Sequence, residues 1–344
     1  MKLFLKISTL LLVVCTFMFV ACQKEEATKP NITAVTKTPL RVIDGMLSFS
    51  DQVSFEATLK QLDNMSENDF ITWEKSNNFV SRFSVEEGLQ AQLSEAKSKS
   101  EYERLVSENT DIIQMVDDLP TTQNRFKSLA KILNREGNLY INNALYNFSE
   151  KGEIIVKSGE KSLLKRAMNT MTNDPSKGIF CFPVAQQNDR AACGVYQVAE
   201  SSNSATAPDR KVKVEAFFVR ITTLGGVTNN NIQLHNISVS SKILGTPYKK
   251  NIWGNWVTYK THNHINSTYK VETFDPNFSF KLKNRYFSHL YSNYYDGISD
   301  GAEHIYESNV PQGNLGGYDL YFAYVNKIFY NSAGVYTPAE INCQ

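Results

Sequence analysis

The chain has no excess of charge of either sign. Its 344 residues include 36 lysines and arginines against 35 aspartates and glutamates. A nucleic-acid binder needs a basic surplus to neutralise phosphates, so this balance argues against nucleic acid as a partner. Hydrophobic residues form 42% of the chain and charged residues 21%, which is typical of a globular protein rather than a disordered one.

The chain also lacks a motif that specifies an enzymatic activity. Residues 297–301 formally match the G-x-S-x-G pattern of a nucleophile elbow, with Ser299 at its centre. That motif needs a buried strand before the serine and a histidine well downstream. Polar residues precede it here, and His304 is the only later histidine. The pattern therefore does not indicate a serine hydrolase.

Long apolar runs are absent except at the N-terminus. Leu10–Val20 is apolar and follows Lys2 and Lys6, which is typical of a secretory signal peptide. A transmembrane helix needs about 20 apolar residues, so this run is too short to be one. We predict that residues 1–21 are a signal peptide.

The end of this segment, Phe19-Val20-Ala21-Cys22, resembles the lipobox of bacterial lipoproteins. The resemblance implies that the Cys22 thiol receives a diacylglyceryl group and anchors the mature chain to a membrane. Phe19 departs from the family pattern, which usually has an aliphatic residue there. The alternative is an ordinary cleaved signal peptide that happens to end near Cys22.

The next residues, Gln23-Lys24-Glu25-Glu26, resemble the export tag of surface-exposed lipoproteins in Bacteroidota. This resemblance implies an outer-membrane lipoprotein that is exposed at the cell surface. It concerns the location of the protein and implies no activity. The alternative is a solvated charged linker.

The periodicity of the remaining sequence predicts an α+β fold. Residues 22–42 have the composition of a flexible tether. Residues 43–178 are predicted to form a helical subdomain with a small β-meander, and residues 179–344 an antiparallel β-sandwich-like domain. The predicted strands of the second domain are 212–221, 232–239, 253–260, 269–274, 278–282 and 318–329.

Serine N-caps mark the predicted helices. Ser66, Ser84 and Ser100 each precede an acidic residue by three positions, which is the capping-box pattern. Two further helices are predicted over residues 51–65 and 160–171. Short apolar runs at 129–133, 139–141, 145–148 and 153–156 predict the strands of the meander, with Gly137 and Gly152 in its turns.

The chain contains five cysteines. Cys181 and Cys193 flank a polar loop, and an exported protein can form disulfides, so we predict a bond between them. Cys343 is then unpaired, unless it takes one of the two as its partner. The alternative is that Cys181 and Cys193 are buried free thiols.

The histidines permit a metal site. His262 and His264 lie two positions apart, so in a strand they share one face, a geometry that some zinc sites use. Carboxylates and further histidines follow: Asp296, Asp300, Glu303, His289 and His304. The alternative is a polar hairpin turn at 261–267. Residues 296–303 are acidic and glycine-rich, which suits a structural calcium ion or a plain turn, and no other cofactor is expected.

Aromatic side chains concentrate in the C-terminal part. A platform for sugars or peptides would combine aromatic faces with neighbouring hydrogen-bonding groups, and its candidate residues are Trp253, Trp256, Tyr291, Tyr294 and Tyr295. The alternative is core packing.

Together, these features predict a non-catalytic binding or interaction module at the cell surface, with a polysaccharide or a protein as its partner. The alternatives are a metal-dependent hydrolase built on residues 262–304 and a structural subunit of an outer-membrane complex.

Overall fold

A computed structural model describes residues 40–63, 65–122, 127–183, 196–201, 208–274, 285–295, 298–311, 319–332 and 339–343. For the strands between residues 262 and 332 it describes the backbone alone. Cys22 and most of the predicted tether lie outside these residues. The tether prediction extends slightly too far, because the first strand, β1 (Arg41–Ile43), already begins at Arg41.

The described residues contain six α-helices. Five lie between the second and third strands of the first sheet in the chain, and the sixth lies before its last strand and packs on it. They are α1 (Gln52–Asp63), α2 (Glu67–Ser76), α3 (Arg82–Glu95), α4 (Lys99–Glu108), α5 (Lys127–Ala130) and α6 (Lys161–Thr170). The predicted helices at 51–65 and 160–171 are confirmed within two residues. The predicted strand at 129–133 is wrong, because this short apolar run begins in α5 and continues as a turn.

One of the three serine caps is confirmed. The Ser66 hydroxyl accepts a hydrogen bond from the Asp69 amide. The other two helices begin earlier than predicted, with Ser81 and Ser98 as their N-caps. Each of these serines has an extended backbone and accepts from an amide three residues on, which is what an N-cap requires.

A six-stranded sheet in the order β1-β2-β5-β6-β7-β8 forms the first layer. The meander β5–β7 is confirmed as antiparallel. At Gly152, φ is +134° and an added Cβ would lie 2.2 Å from the Phe182 carbonyl oxygen, so only glycine fits. The strands are β1 (Arg41–Ile43), β2 (Met46–Phe49), β5 (Asn138–Ile141), β6 (Ala144–Ser149), β7 (Gly152–Val156) and β8 (Ile179–Pro183).

Long antiparallel strands form the β-rich part. One sheet has the order β12-β11-β10-β9, with β15 also paired to β11, and a second has the order β14-β13-β16-β17. Strands β3 (Ile113–Val116) and β4 (Leu119–Thr122) form a hairpin that is a separate two-stranded sheet. The remaining strands are β9 (Tyr196–Glu200), β10 (Arg210–Val227), β11 (Gln233–Lys250), β12 (Trp256–Thr258), β13 (Thr261–Phe274), β14 (Arg285–Tyr295), β15 (Ile298–Pro311), β16 (Asp319–Ser332) and β17 (Ala339–Cys343).

The chain therefore has an α+β fold with a sheet-rich C-terminal region. The predicted strand at 278–282 lies outside the described residues. The predicted boundary between residues 178 and 179 does not separate two units, because β8 pairs with β7 across it. Residues Leu40–Gln344 form one compact unit, and its largest apolar cluster contains residues from both sides, such as Leu47, Phe148, Val214 and Ile341.

Candidate functional site

A small groove with a cavity volume of about 40 Å³, partly open to solvent, lies between helix α3, hairpin β3–β4 and the sheet of β10, β11 and β12. We call this feature the groove. Nine of its eleven lining residues have polar side chains, although apolar atoms contribute more of the exposed lining surface than polar atoms; the nine are Glu86, Glu87, Gln90, Thr121, Thr122, Glu215, Thr246, Tyr248 and Thr258. The apolar lining residues are Pro120 and Leu244.

Strand register explains why the sheet supplies polar groups here. Tyr248 pairs with Thr258, and Glu215 pairs with Leu244, so these four residues lie on one face. Successive residues in a strand alternate between faces. The neighbouring positions Val212, Val214 and Ala216 of β10 therefore enter the main core on the opposite face.

A buried ion pair includes Glu215, which lines the floor of the groove. Lys213 Nζ lies 3.5 Å from Glu215 Oε1, and both side chains are 2% exposed. The Tyr196 hydroxyl donates to Glu215 Oε1 at 2.5 Å, and Lys213 Nζ donates to Thr121 Oγ1 at 3.4 Å. A buried charge is tolerated only when it is paired and hydrogen-bonded, so these contacts fix the position of the Glu215 carboxylate.

Tyr248 adds a fixed hydroxyl to the groove. Burial, and secondarily the negative charge of Glu215, raise the pKa of this phenol. It therefore stays protonated and donates to the Pro120 carbonyl oxygen at 3.4 Å. This bond ties the sheet to hairpin β3–β4.

Two sets of contacts hold helix α3 in place, of which one joins it to the sheet. The Thr258 hydroxyl donates to Gln90 Oε1 at 3.0 Å. Arg82 forms a buried pair with Glu86 at 3.0 Å and also donates to the carbonyl oxygens of Asp111 and Arg135. Both sets fix the wall that carries Glu86 and Gln90, so the groove is preformed.

The groove lining combines carboxylates, hydroxyls and one amide. Among the residues that the structure describes, its lining includes no histidine, serine or cysteine. Carboxylates accept hydrogen bonds, and threonine and tyrosine hydroxyls both donate and accept. Such a wall suits a ligand that is rich in hydroxyl groups.

The two predicted platform tryptophans have different surroundings. Trp256 is 7% exposed and packs with Leu119 and Tyr248, so core packing is confirmed for it. Trp253 is 45% exposed in the turn between β11 and β12. Tyr291, Tyr294 and Tyr295 lie in β14, which belongs to a different sheet, and their side chains lie outside the described part of the structure.

The candidate metal ligands fall on backbone that forms strands. His262 and His264 lie in β13 opposite Tyr294 and Ser292, so the predicted hairpin turn at 261–267 is wrong. Asp300 and Glu303 lie in β15, which joins the other sheet through β11, so the plain turn expected at 298–303 is also wrong. Asp296 and the side chains of the other four lie outside the described residues. The side chains of His289 and His304 also lie outside the described part of the structure.

Among the side chains that the structure does describe, no three histidines, cysteines or carboxylates form a metal-binding group. The metal and calcium hypotheses remain sequence predictions, because the residues on which they depend are not among those side chains. Within the same described part, no helix is long and apolar enough to span a bilayer.

The disulfide prediction is wrong for Cys181. This residue is a free thiol that is 3% exposed in β8. It packs in an apolar cluster with Leu145, Ile154 and Leu164, so its side chain faces the core. Cys343 is disulfide-bonded, so the prediction that it is unpaired is wrong, and Cys193 lies outside the described residues.

Sequence reasoning missed the residues of the groove. Lys213 and Glu215 did carry a local signal, because Lys211-Val-Lys-Val-Glu215 alternates charged and apolar residues. That alternation predicts a strand with a charged face. Glu86, Thr121 and Thr246 carry no such signal, since only the tertiary fold brings them together.

No protein-family model matches the chain, and no curated protein matches it. One solved structure with some similarity is the crystal structure of a DUF4848 family protein from Bacteroides thetaiotaomicron. The two chains are 16% identical, the match covers 86% of this chain and 96% of that one, and the TM-score is 0.29. A likeness this weak carries no argument about the function of this chain.

Proposed function

We propose that the protein is a cell-envelope lipoprotein that acts as a non-catalytic binding module at the cell surface. The signal peptide, the lipobox at Cys22 and the Lys24-Glu25-Glu26 tag support this location. Its ligand is a polysaccharide, which it binds through sugar hydroxyls.

The observation that carries the proposal is the preformed polar groove. Sugar recognition requires several hydrogen-bonding groups held in fixed positions, so that little conformational entropy is lost on binding. The buried pair of Lys213 and Glu215 and the Thr258–Gln90 bond provide such fixed positions. Carboxylates such as Glu87 suit hydroxyl donors.

The test is binding of the purified full chain to an array of neutral and acidic oligosaccharides, followed by calorimetry with the best ligand. Thr122→Val and Thr246→Val remove one groove hydroxyl each while keeping the side-chain shape. We expect the double variant to bind at least about tenfold more weakly, because each lost hydrogen bond contributes about 1 kcal/mol.

The control is Thr72→Val, which removes an exposed hydroxyl on helix α2, away from the groove lining. It should leave the affinity unchanged, and both variants should melt close to the wild-type temperature. Equal affinity of the wild type and the double variant for the array ligand would reject the groove as the binding site. Absence of binding to every glycan would reject the polysaccharide as ligand.

A further inference from the structure

The turn between β11 and β12 exposes two large apolar side chains. Ile252 is 87% exposed and Trp253 is 45% exposed; we call this pair the apolar tip. Isolated exposed apolar residues are common, but two adjacent ones at the end of a hairpin form a protruding apolar point.

The turn is held rigidly by hydrogen bonds. Asn251 Oδ1 accepts from the amides of Trp253 and Asn255, at 3.0 and 3.1 Å. The Trp253 indole N–H donates to the Ala96 carbonyl oxygen at 2.9 Å. Because its polar atom is already bonded, the exposed part of Trp253 is the apolar ring.

Four cations lie directly behind the apolar tip, at the end of the same sheet. Arg210 and Lys249 are cross-strand neighbours, and both lie over the Tyr259 ring, at 4.8 and 5.9 Å. Lys211 and Lys250 both lie over the Trp256 ring at 5.1 Å. We call these four residues the cation collar.

The four positive charges of the cation collar outnumber the carboxylates that lie close to them. Arg210 is close to Asp209 and Lys211 to Glu200, at 3.6 and 3.7 Å. Within the described part of the chain, Lys249 and Lys250 have no carboxylate within 4 Å. Like charges directly opposite each other, such as Arg210 and Lys249, are destabilising in a sheet, so an anionic partner would relieve this repulsion.

The distance between the apolar tip and the cation collar matches the distance between the acyl boundary and the headgroups of a bilayer. A strand rises about 3.3 Å per residue, so the collar lies roughly 3 to 10 Å behind the tip. Interfacial segments bury their apolar groups about 5–10 Å into the headgroup and acyl boundary, while lysines and arginines contact anionic headgroups. We propose that the apolar tip and cation collar dock the folded protein onto a lipid bilayer that carries anionic headgroups.

A membrane fits better than a soluble acidic polymer. An acidic polysaccharide would use the cations, but it would give no favourable environment to Ile252, which is the most exposed large apolar side chain among the described residues. A bilayer satisfies both features. The proposal does not depend on the groove or on its ligand.

The experiment measures the fluorescence of Trp253 in vesicles, taken as the difference between the wild type and Trp253→Phe. The full chain is added to phosphatidylcholine vesicles with or without phosphatidylglycerol, and bromine-labelled acyl chains serve as quenchers. We expect a blue shift and quenching in the anionic vesicles, with loss of at least half of the quenching in Ile252→Ser and in Lys249→Ala/Lys250→Ala.

Matched controls remove the same kinds of side chain at other positions on the surface. Val80→Ser changes another exposed apolar residue, which is 65% exposed, and Lys75→Ala/Lys165→Ala removes two exposed lysines. Both should quench like the wild type. The proposal would be overturned by the absence of Trp253 quenching, or by quenching that the tip and collar variants do not reduce. Binding of polygalacturonate without quenching in vesicles would also overturn it and would assign the collar to a polysaccharide.

Discussion

The pair of Lys213 and Glu215 places two opposite charges where both side chains are only 2% exposed. Lys213→Met leaves the Glu215 carboxylate buried without its cation, which typically costs about 3–5 kcal/mol. Lys213→Met/Glu215→Met removes both charges and should cost clearly less than the single change. Urea unfolding of the two variants measures this difference.

Lys211→Met is the control for this prediction, because its pair with Glu200 is longer and more exposed, at 3.7 Å and 20–25%. It should lose no more than about 1 kcal/mol. A Lys213→Met variant as stable as Lys211→Met would contradict the description of the groove floor.

Glu153 should make stability depend on pH. Burial raises the pKa of its carboxyl from 4.5 to about 7, although Arg220 and the Thr222 amide favour the charged form. Because the folded state holds the Glu153 proton more tightly than the unfolded state does, the protonated carboxyl stabilises the fold. This contribution is complete below pH 4.5 and is lost as the pH rises through 7. The loss from this group is about 3 kcal/mol.

The check is chemical denaturation between pH 4.5 and 8, with Glu153→Gln as the variant that cannot ionise. The free energy of unfolding of the variant should lack this part of the pH dependence, and the variant should be more stable than the wild type at pH 8. Parallel curves for the two proteins would mean that Glu153 titrates normally in the fold.

Cys181 should be inert in the folded protein. Its side chain is 3% exposed, and burial raises the pKa of the thiol, which lowers the thiolate fraction. Iodoacetamide should label it only after unfolding, and mass spectrometry of the labelled peptide measures this. Rapid native labelling would show that β8 is not packed as described.

Among the secondary-structure elements, the N-terminus of α4 allows the observed cap, Ser98, to be compared with the predicted cap, Ser100. Ser98 accepts from the Glu101 amide, and Glu101 Oε2 accepts from the Lys97 amide. Ser98→Ala should cost about 1 kcal/mol, whereas Ser100→Ala, inside the first turn, should cost little. Thermal melts of the two variants decide this, and a larger loss at Ser100 would favour the start predicted from the sequence.

Sequence patterns located most of these elements but not their ends. The meander β5–β7 was predictable because its apolar runs are flanked by Gly137 and Gly152, although the turn between β5 and β6 is formed by Asn142 and Asn143, which both have positive φ. The capping pattern found the correct kind of residue, but nearby serines such as Ser81 and Ser84 compete, and only the backbone conformation distinguishes them. Strand β13 could not be predicted in full, because Thr-His-Asn-His is typical of a turn. Its pairing with β14 and β16 on both sides overrides that local preference.

For the whole molecule, the periodicity of the sequence predicted the α+β class, but the predicted boundary between residues 178 and 179 falls inside the first sheet. The break at Asn173–Gly178 looks like a linker in the sequence, yet β8 follows it and completes the first sheet. The groove was not predictable for a related reason. Its lining comes from residues 86–90, 120–122, 215 and 244–258, and a single sequence carries no information about which of these segments meet.

Hydrogen exchange with and without the best array glycan measures whether the groove binds a polysaccharide. We expect the ligand to slow amide exchange in residues 119–122, 244–248 and 256–258, which border the groove. Protection should be absent from helix α6, which lies on the first sheet. Protection confined to residues 261–311, with none around the groove, would contradict the account and would move the binding site to the strands that carry His262 and Asp300.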